Sequence, residues 1–194
     1  MTKWLSSMML TAGLLVAAQV QAQQPVEMEG QKFEPTAALA GQTLNLNGVG
    51  LRKKLFIKVY VAGLYTQQKS TNAAALINDK GPRRVTLRML RDVDAESFID
   101  SFNEGLKNNH TEAQLNAMKQ QVDALTATLK AIGEAKKGDA INFDYTPDGG
   151  TRISVNGQPK GSAIAGADFF AAVLRIWLGE KPADESLKKG MLGA

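Results

Sequence analysis

The residues best suited to chemistry in this chain lie in LNGVGLRKKLFIKVYVAGLY, residues 46–65. Two apolar, strand-like arms are joined there by Arg52, Lys53 and Lys54, and Lys58 and Tyr60 interrupt the second arm. A hairpin turn at Lys53-Lys54 sets Arg52 at the end of one strand and Tyr60 several residues into its neighbour. Side chains alternate along a strand, so Tyr60 shares a face with Lys58 and Ala62. The small Ala62 leaves space above the sheet. A guanidinium and a phenol converging on that space suit a carboxylate or a developing oxyanion, through charge-assisted hydrogen bonds. The same spacing also fits an exposed turn arginine and a half-buried strand tyrosine.

Other constellations carry less. His110, the one histidine, lies in the polar loop NNHTE and reads as an exposed loop residue. No G-x-S-x-G elbow accompanies it. NGVG and GLYT lack the lysine and following helix of a phosphate loop. Asp144 and Asp148 sit beside turns, where carboxylates cap backbone amides. With no cysteine and a single histidine, a zinc, copper or iron–sulfur site is not expected, and no metal or cofactor is assigned. The formal charge is +4, one less without Lys3, with basic residues scattered among acids. No nucleic-acid footprint is expected from that distribution.

The elements that must position Arg52 and Tyr60 follow from periodicity. Residues 1–22 are expected to be a signal peptide: Lys3 supplies a positive start, LSSMMLTAGLLVAAQ a short apolar run, and VQA small residues before a cleavage near Ala22. Residues 23–194 then form one domain, large enough for a core without disulfides. The expected location is periplasmic or secreted, with no stable membrane anchor after cleavage.

Residues 23–41 read as a polar leader arm with at most one short strand. Leu44, Leu46 and Val49 mark a first strand, and Leu55, Ile57, Val59 and Val61 one face of a second. Phe56, Lys58, Tyr60, Ala62 and Leu64 lie on its other face, and neither face is polar enough to meet water. Ser70 and Thr71 are cap candidates for a short helix ended by Gly81-Pro82. Val85, Leu87 and Met89 alternate in a third strand. Asp94 caps a helix carrying Phe98, Phe102 and Leu106. Thr111 and Gln114 are spaced as a capping box before one long helix, whose stripe runs Leu115, Met118, Val122, Leu125, Leu129, Ile132 to the stop at Gly133. A β-meander follows, with a hairpin at Asn156-Gly157. A buried helix over DFFAAVLRIWLG and a short charged one over ADESLKKG close the chain. The order predicts an α+β fold with helices on one side of an antiparallel sheet.

GVGLRKKLFIKVYVAGLY resembles the signature of the chalcone isomerase family, a G-x-G-x-R segment before a strand that ends in apolar-Gly-apolar-Tyr. IWLGEKPADESLKKGMLG is similar to the family's closing pattern of leucine-glycine, proline and lysine. The resemblance covers most of residues 23–194 and is strongest to the exported bacterial branch. It implies an open-faced β-sandwich: a long, curved antiparallel sheet with helices over one face and a ligand cleft between them.

The resemblance offers two functions. In cyclising plant members the arginine matching Arg52 stabilises the substrate's phenolate and developing enolate, which would make Arg52 catalytic in an isomerase, an intramolecular lyase. Those enzymes carry threonine where this chain has Tyr60, and tyrosine, lysine and asparagine on the next helix. DAESFIDSFNEGL offers Phe98, Asp100, Ser101 and Asn103 instead, with no lysine. Non-catalytic members bind fatty acids through an arginine and a tyrosine on these two strands, and Arg52 and Tyr60 match that pair. Phe98, Phe102, Phe169, Phe170 and Trp177 fit either an acyl tunnel or ordinary core. The favoured reading is an exported binder of a fatty acid or similar small apolar acid. The isomerase is the alternative, and a partner-binding module with a filled core a second one. For the binder, Tyr60→Phe is expected to weaken acid binding while hardly changing folding stability.

Overall fold

The computed structural model describes residues 24–194; the expected signal peptide lies outside the described residues. A two-stranded hairpin of β1 (Val26–Met28) and β2 (Gln31–Phe33) comes first. Seven antiparallel strands then form one curled sheet in chain order: β3 (Thr36–Leu39), β4 (Gln42–Lys54), β5 (Ile57–Thr66), β6 (Arg83–Met89), β7 (Ala140–Thr146), β8 (Gly150–Val155) and β9 (Gln158–Ile164). Helix α1 (Ala73–Asn78) joins β5 to β6. Helices α2 (Ala95–Asn109), α3 (Glu112–Ala117) and α4 (Lys119–Ile132) join β6 to β7, and α5 (Ala167–Leu178) and α6 (Glu185–Met191) follow β9.

Local chemistry accounts for the boundaries. Asp94 accepts the Ser97 amide at 2.8 Å and so caps α2. Thr111 and Gln114 form the expected capping box on α3. Asn156 and Gly157 both take positive φ, 51° and 79°, the conformation a two-residue hairpin needs. Asn72, one residue past the expected candidates Ser70 and Thr71, caps α1.

Three expectations are corrected. The leader arm holds three short strands, and the hairpin of β1 and β2 packs Phe33 against the outer face of the sheet. The apolar stripe from Leu115 to Ile132 spans two helices, not one. Met118 adopts φ −110° and ψ 20°, and the break lets α4 bury Leu125 and Leu129 while Leu115 and Met118 stay half-exposed. The turn between β4 and β5 lies at Leu55-Phe56, so Arg52, Lys53 and Lys54 belong to β4 and Leu55 and Phe56 to neither strand face.

Both sheet faces are covered, as the mixed faces of the second strand required. Tyr60, Ala62, Leu64, Leu87, Ile141 and Phe143 pack against α2, α4, α5 and α6. Leu44, Leu46, Val49, Val61 and Tyr65 form a smaller cluster with Phe33 on the outer face. The glycines of the two signature segments make these layers possible. A Cβ at Gly48 would meet the Gly190 carbonyl oxygen at 2.2 Å, and one at Gly50 the Leu187 carbonyl oxygen at 2.3 Å. Strand β4 therefore touches the α6 backbone directly. Gly63 does the same for the outer face, where a Cβ would strike the Phe33 ring at 2.5 Å. Tyr65 donates its hydroxyl to the Glu34 carbonyl at 3.1 Å and ties the N-terminal segment down.

Because backbone cannot step aside as a side chain can, Gly50→Ala should destabilise the fold by about 1–3 kcal/mol, the usual cost of overpacking. Urea denaturation reads this, and an unchanged midpoint would mean that the β4–α6 contact is looser than described.

Candidate functional site

Arg52 and Tyr60 are directly paired across β4 and β5. The register shifts between Arg52 and Lys53, a bulge that re-aims the strand end. Both residues line a cavity of about 360 Å³ between the sheet and the helices. Its walls are Leu87 and Phe143 from the sheet, Phe98 and Phe102 from α2, and Ile176 and Trp177 from α5. The rings support one another. Phe102 and Phe143 stack with centroids 6.2 Å apart, and Trp177 meets Phe143 edge-on at 5.8 Å. Lys54, Leu55, Ile57 and Arg91, all solvent-exposed, mark its mouth.

Tyr60 is buried, and its hydroxyl oxygen accepts a hydrogen bond from Trp177 Nε1 at 2.9 Å. Burial pushes the phenol's pKa up, against the Trp177 hydrogen bond and the nearby Arg52 charge, which pull it down. Tyr60 thus stays a neutral phenol, with its oxygen occupied by the indole and its proton left to donate. Sequence reasoning placed Trp177 only as apolar lining; its N–H is also the group that orients the phenol.

Arg52 lies with its Nη1 4.0 Å from Asp184 Oδ2, and it donates a hydrogen bond to the Lys53 carbonyl. Asp184 is the N-cap of α6: it accepts amide hydrogens from Leu187 at 3.0 Å and Lys53 at 3.1 Å. Burial pushes its carboxyl upward, but hydrogen bonds from the Ser186 hydroxyl and the Leu187 and Lys53 amides outweigh this and hold its pKa below the ordinary value. Asp184 was missed from sequence. An aspartate at the start of ADESLKKG is a local cap signal, but nothing local says that the cap reaches β4.

The other sequence candidates fall elsewhere. Phe169 and Phe170 are core residues away from the cavity, and Phe170 stacks on Tyr145 at 5.2 Å. His110 is not an exposed loop residue: it ends α2, half-buried, with Nδ1 2.9 Å from the Leu106 carbonyl. Asp144 caps no turn but pairs with Arg84 on the neighbouring strand, at 2.5 and 2.7 Å. α2 presents Ser97 and Ser101 to the cavity, and no lysine.

Chemically, the cavity offers the Arg52 guanidinium and the neutral Tyr60 O–H beside its aromatic walls. The Ser97 and Ser101 hydroxyls on α2 line it too, with Lys54, Arg91, Asp92 and Asp94 at its exposed rim. Asp184→Asn should reveal how the guanidinium is held. A carboxyl whose pKa is lowered in the folded state stabilises above its unfolded value of about 3.9 and loses that contribution as pH falls through the lowered one. The stability advantage of wild type over Asp184→Asn should therefore be full at neutral pH and shrink below about pH 4. Urea midpoints across pH measure it, and a pH-independent difference would count against the cap's ionic role.

The chalcone isomerase-like family model matches residues 25–193. The crystal structure of an Arabidopsis thaliana fatty-acid binding protein aligns with a TM-score of 0.70 at 18% identity, covering 87% of this chain and 96% of that one. At that identity the likeness is one of fold: the same helix-covered, curled sheet. The curated proteins include no match to this sequence. With the family match running through nearly all the described residues and both signature segments, the chain belongs to the chalcone isomerase-like family.

Proposed function

We propose that the protein is a non-catalytic binder of a fatty acid or similar small apolar acid, its carboxylate held by Arg52 and Tyr60 and its chain in the aromatic cavity. The observation that carries this is the pairing of a guanidinium and a buried neutral phenol beside the aromatic walls of the chamber. A carboxylate there accepts from both groups, and the phenol cannot compete as an anion. The fold likeness to a fatty-acid binding protein supports the same reading. Against an isomerase stands the polar supply: α2 brings two serines and two phenylalanines to the cavity and no lysine. The reading includes export, supported by the pattern of residues 1–22.

The volume bounds the ligand. At about 360 Å³ the cavity lies at the small end of the roughly 300–1,000 Å³ range of small-molecule sites and suits a medium-chain acid such as decanoic acid. Thermal stabilisation by a series of saturated acids should rise to about that length and then level off, as longer tails leave through the mouth. Native mass spectrometry of protein from its own host should show such an acid retained. A clean unliganded mass together with no stabilisation by any acid would refute the binder.

Tyr60→Phe tests the site, and the structure revises what it should do. Losing the phenol's hydrogen bond to the carboxylate should weaken decanoic acid binding about tenfold to hundredfold, for a charge-assisted bond of about 1.5–3 kcal/mol. Folding stability should fall as well, by about 1–3 kcal/mol, because the buried Trp177 N–H loses its acceptor. Arg52→Met should cost at least as much affinity. Titration calorimetry and urea denaturation separate the two effects, and unchanged acid affinity in both variants would remove the pair from the site.

A further inference from the structure

Four large hydrophobic side chains are exposed among the described residues, and three are consecutive: Leu55 at 86%, Phe56 at 98% and Ile57 at 49%. Leu55 and Phe56 form the β4–β5 turn, and Ile57 opens β5. Leu55 takes φ 57°, a left-handed conformation that glycine or asparagine adopts with less strain. Neither Leu55 nor Phe56 adds to the core, so folding does not account for their being there. Lys53 and Lys54 precede the turn, and Arg91 shares its rim. Lys53, Lys54 and Arg91 have no carboxylate partner among the described residues, whereas Lys58 is paired with Glu29 at 2.6 Å. Three carboxylates also lie nearby: Asp184 beside Arg52, and Asp92 and Asp94 on the cavity rim, which accept the Lys137 and Ser97 amides. Leu55, Ile57, Lys54 and Arg91 are the mouth of the cavity.

An apolar point flanked by Lys53 and Lys54, with Arg91 on the same rim, complements an anionic lipid surface, where acyl chains take the apolar point and headgroups the cations. A protein partner fits less well. Three side chains cover far less than the roughly 800 Å² per partner of a stable interface. No described helix is long and apolar enough to cross a membrane, so contact would be peripheral.

We propose that the β4–β5 turn docks on an anionic bilayer surface, inserting Leu55 and Phe56 and setting Lys53, Lys54 and Arg91 against headgroups, so that the cavity opens onto the lipid. This deepens the acid-binding reading by giving its ligand a source, and the two can fail separately. Co-sedimentation uses vesicles of phosphatidylcholine, with or without one third phosphatidylglycerol. Wild type should bind the phosphatidylglycerol vesicles, less well as salt rises. Phe56→Ser should lower that binding about tenfold or more. Lys53→Gln/Lys54→Gln should lower it on the anionic vesicles but not on phosphatidylcholine. Absence of wild-type binding, or binding that Phe56→Ser leaves intact, overturns the proposal. So does a dimer that Phe56→Ser dissolves in the absence of vesicle binding, because a second copy is then the occupant. Decanoic acid binding without vesicles is the independent readout. Phe56→Ser should keep it, while Arg52→Met should lose it and still sediment. Phe56-dependent docking by a protein that binds no acid would uphold the docking and refute the acid-binding reading.

Discussion

The contact on which the site depends is backbone against backbone. Gly48 and Gly50 let β4 lie against α6 with no side chain between them, and Gly190 of α6 answers from the other side, where a Cβ would fall 2.4 Å from the Val49 carbonyl oxygen. This close approach delivers the N-cap of α6 to the end of β4, so that one carboxylate, Asp184, both starts the helix and stands beside Arg52. Asn47, at the bulge in β4, locks the same junction: its amide donates to the Met191 carbonyl at 2.8 Å and accepts the Ser70 amide at 2.7 Å. The G-x-G before the arginine is thus a packing device with an electrostatic consequence.

Arg83 and Arg52 both face the helix-covered layer, and their surroundings separate a structural guanidinium from the candidate site. Arg83, fully buried at the far end of β6, donates to the carbonyls of Leu76 and Ile77 and stacks on Tyr145 and Phe170, with centroids 5.1 and 4.9 Å away. Aromatic faces and helix-end carbonyls suit a cation that nothing else reaches. Burial lowers its pKa, against the nearby Asp79 charge, which raises it. Arg52 faces an open chamber instead. The chamber stays open because stacked and edge-on rings form its walls, and planar groups braced on one another cannot fold inward to fill it. For the proposed ligand, burial would act twice, by keeping Tyr60 protonated and by sharpening any charge-assisted bond made there.

The sequence alone carried the fold class and most element positions and singled out Arg52 and Tyr60 as candidates. It set the turn two residues early, so that their direct cross-strand pairing came from the structure. Alternation placed Leu44, Leu46 and Val61 on one face and Tyr60, Ala62 and Leu64 on the other, and short-range signals such as Asp94, Thr111 with Gln114, and Asn156-Gly157 marked their own caps and turns. Each of these is decided within a few residues, where local hydrogen bonding and the pleat leave little choice. The break at Met118 and the turn at Leu55-Phe56 ran against local pattern, since an unbroken stripe and an apolar run both read as continuous elements. Only tertiary packing decided them, by which side chains it could bury. It alone also chose Phe98, Phe102 and Trp177 over Phe169 and Phe170 as cavity walls, because all five are apolar and periodicity ranks none above another. And it alone joined Asp184 to Arg52 and Trp177 to Tyr60, over 100 positions apart in sequence. Such pairings have no local signal, because the free energy that selects them comes from the whole sheet and its helices closing together.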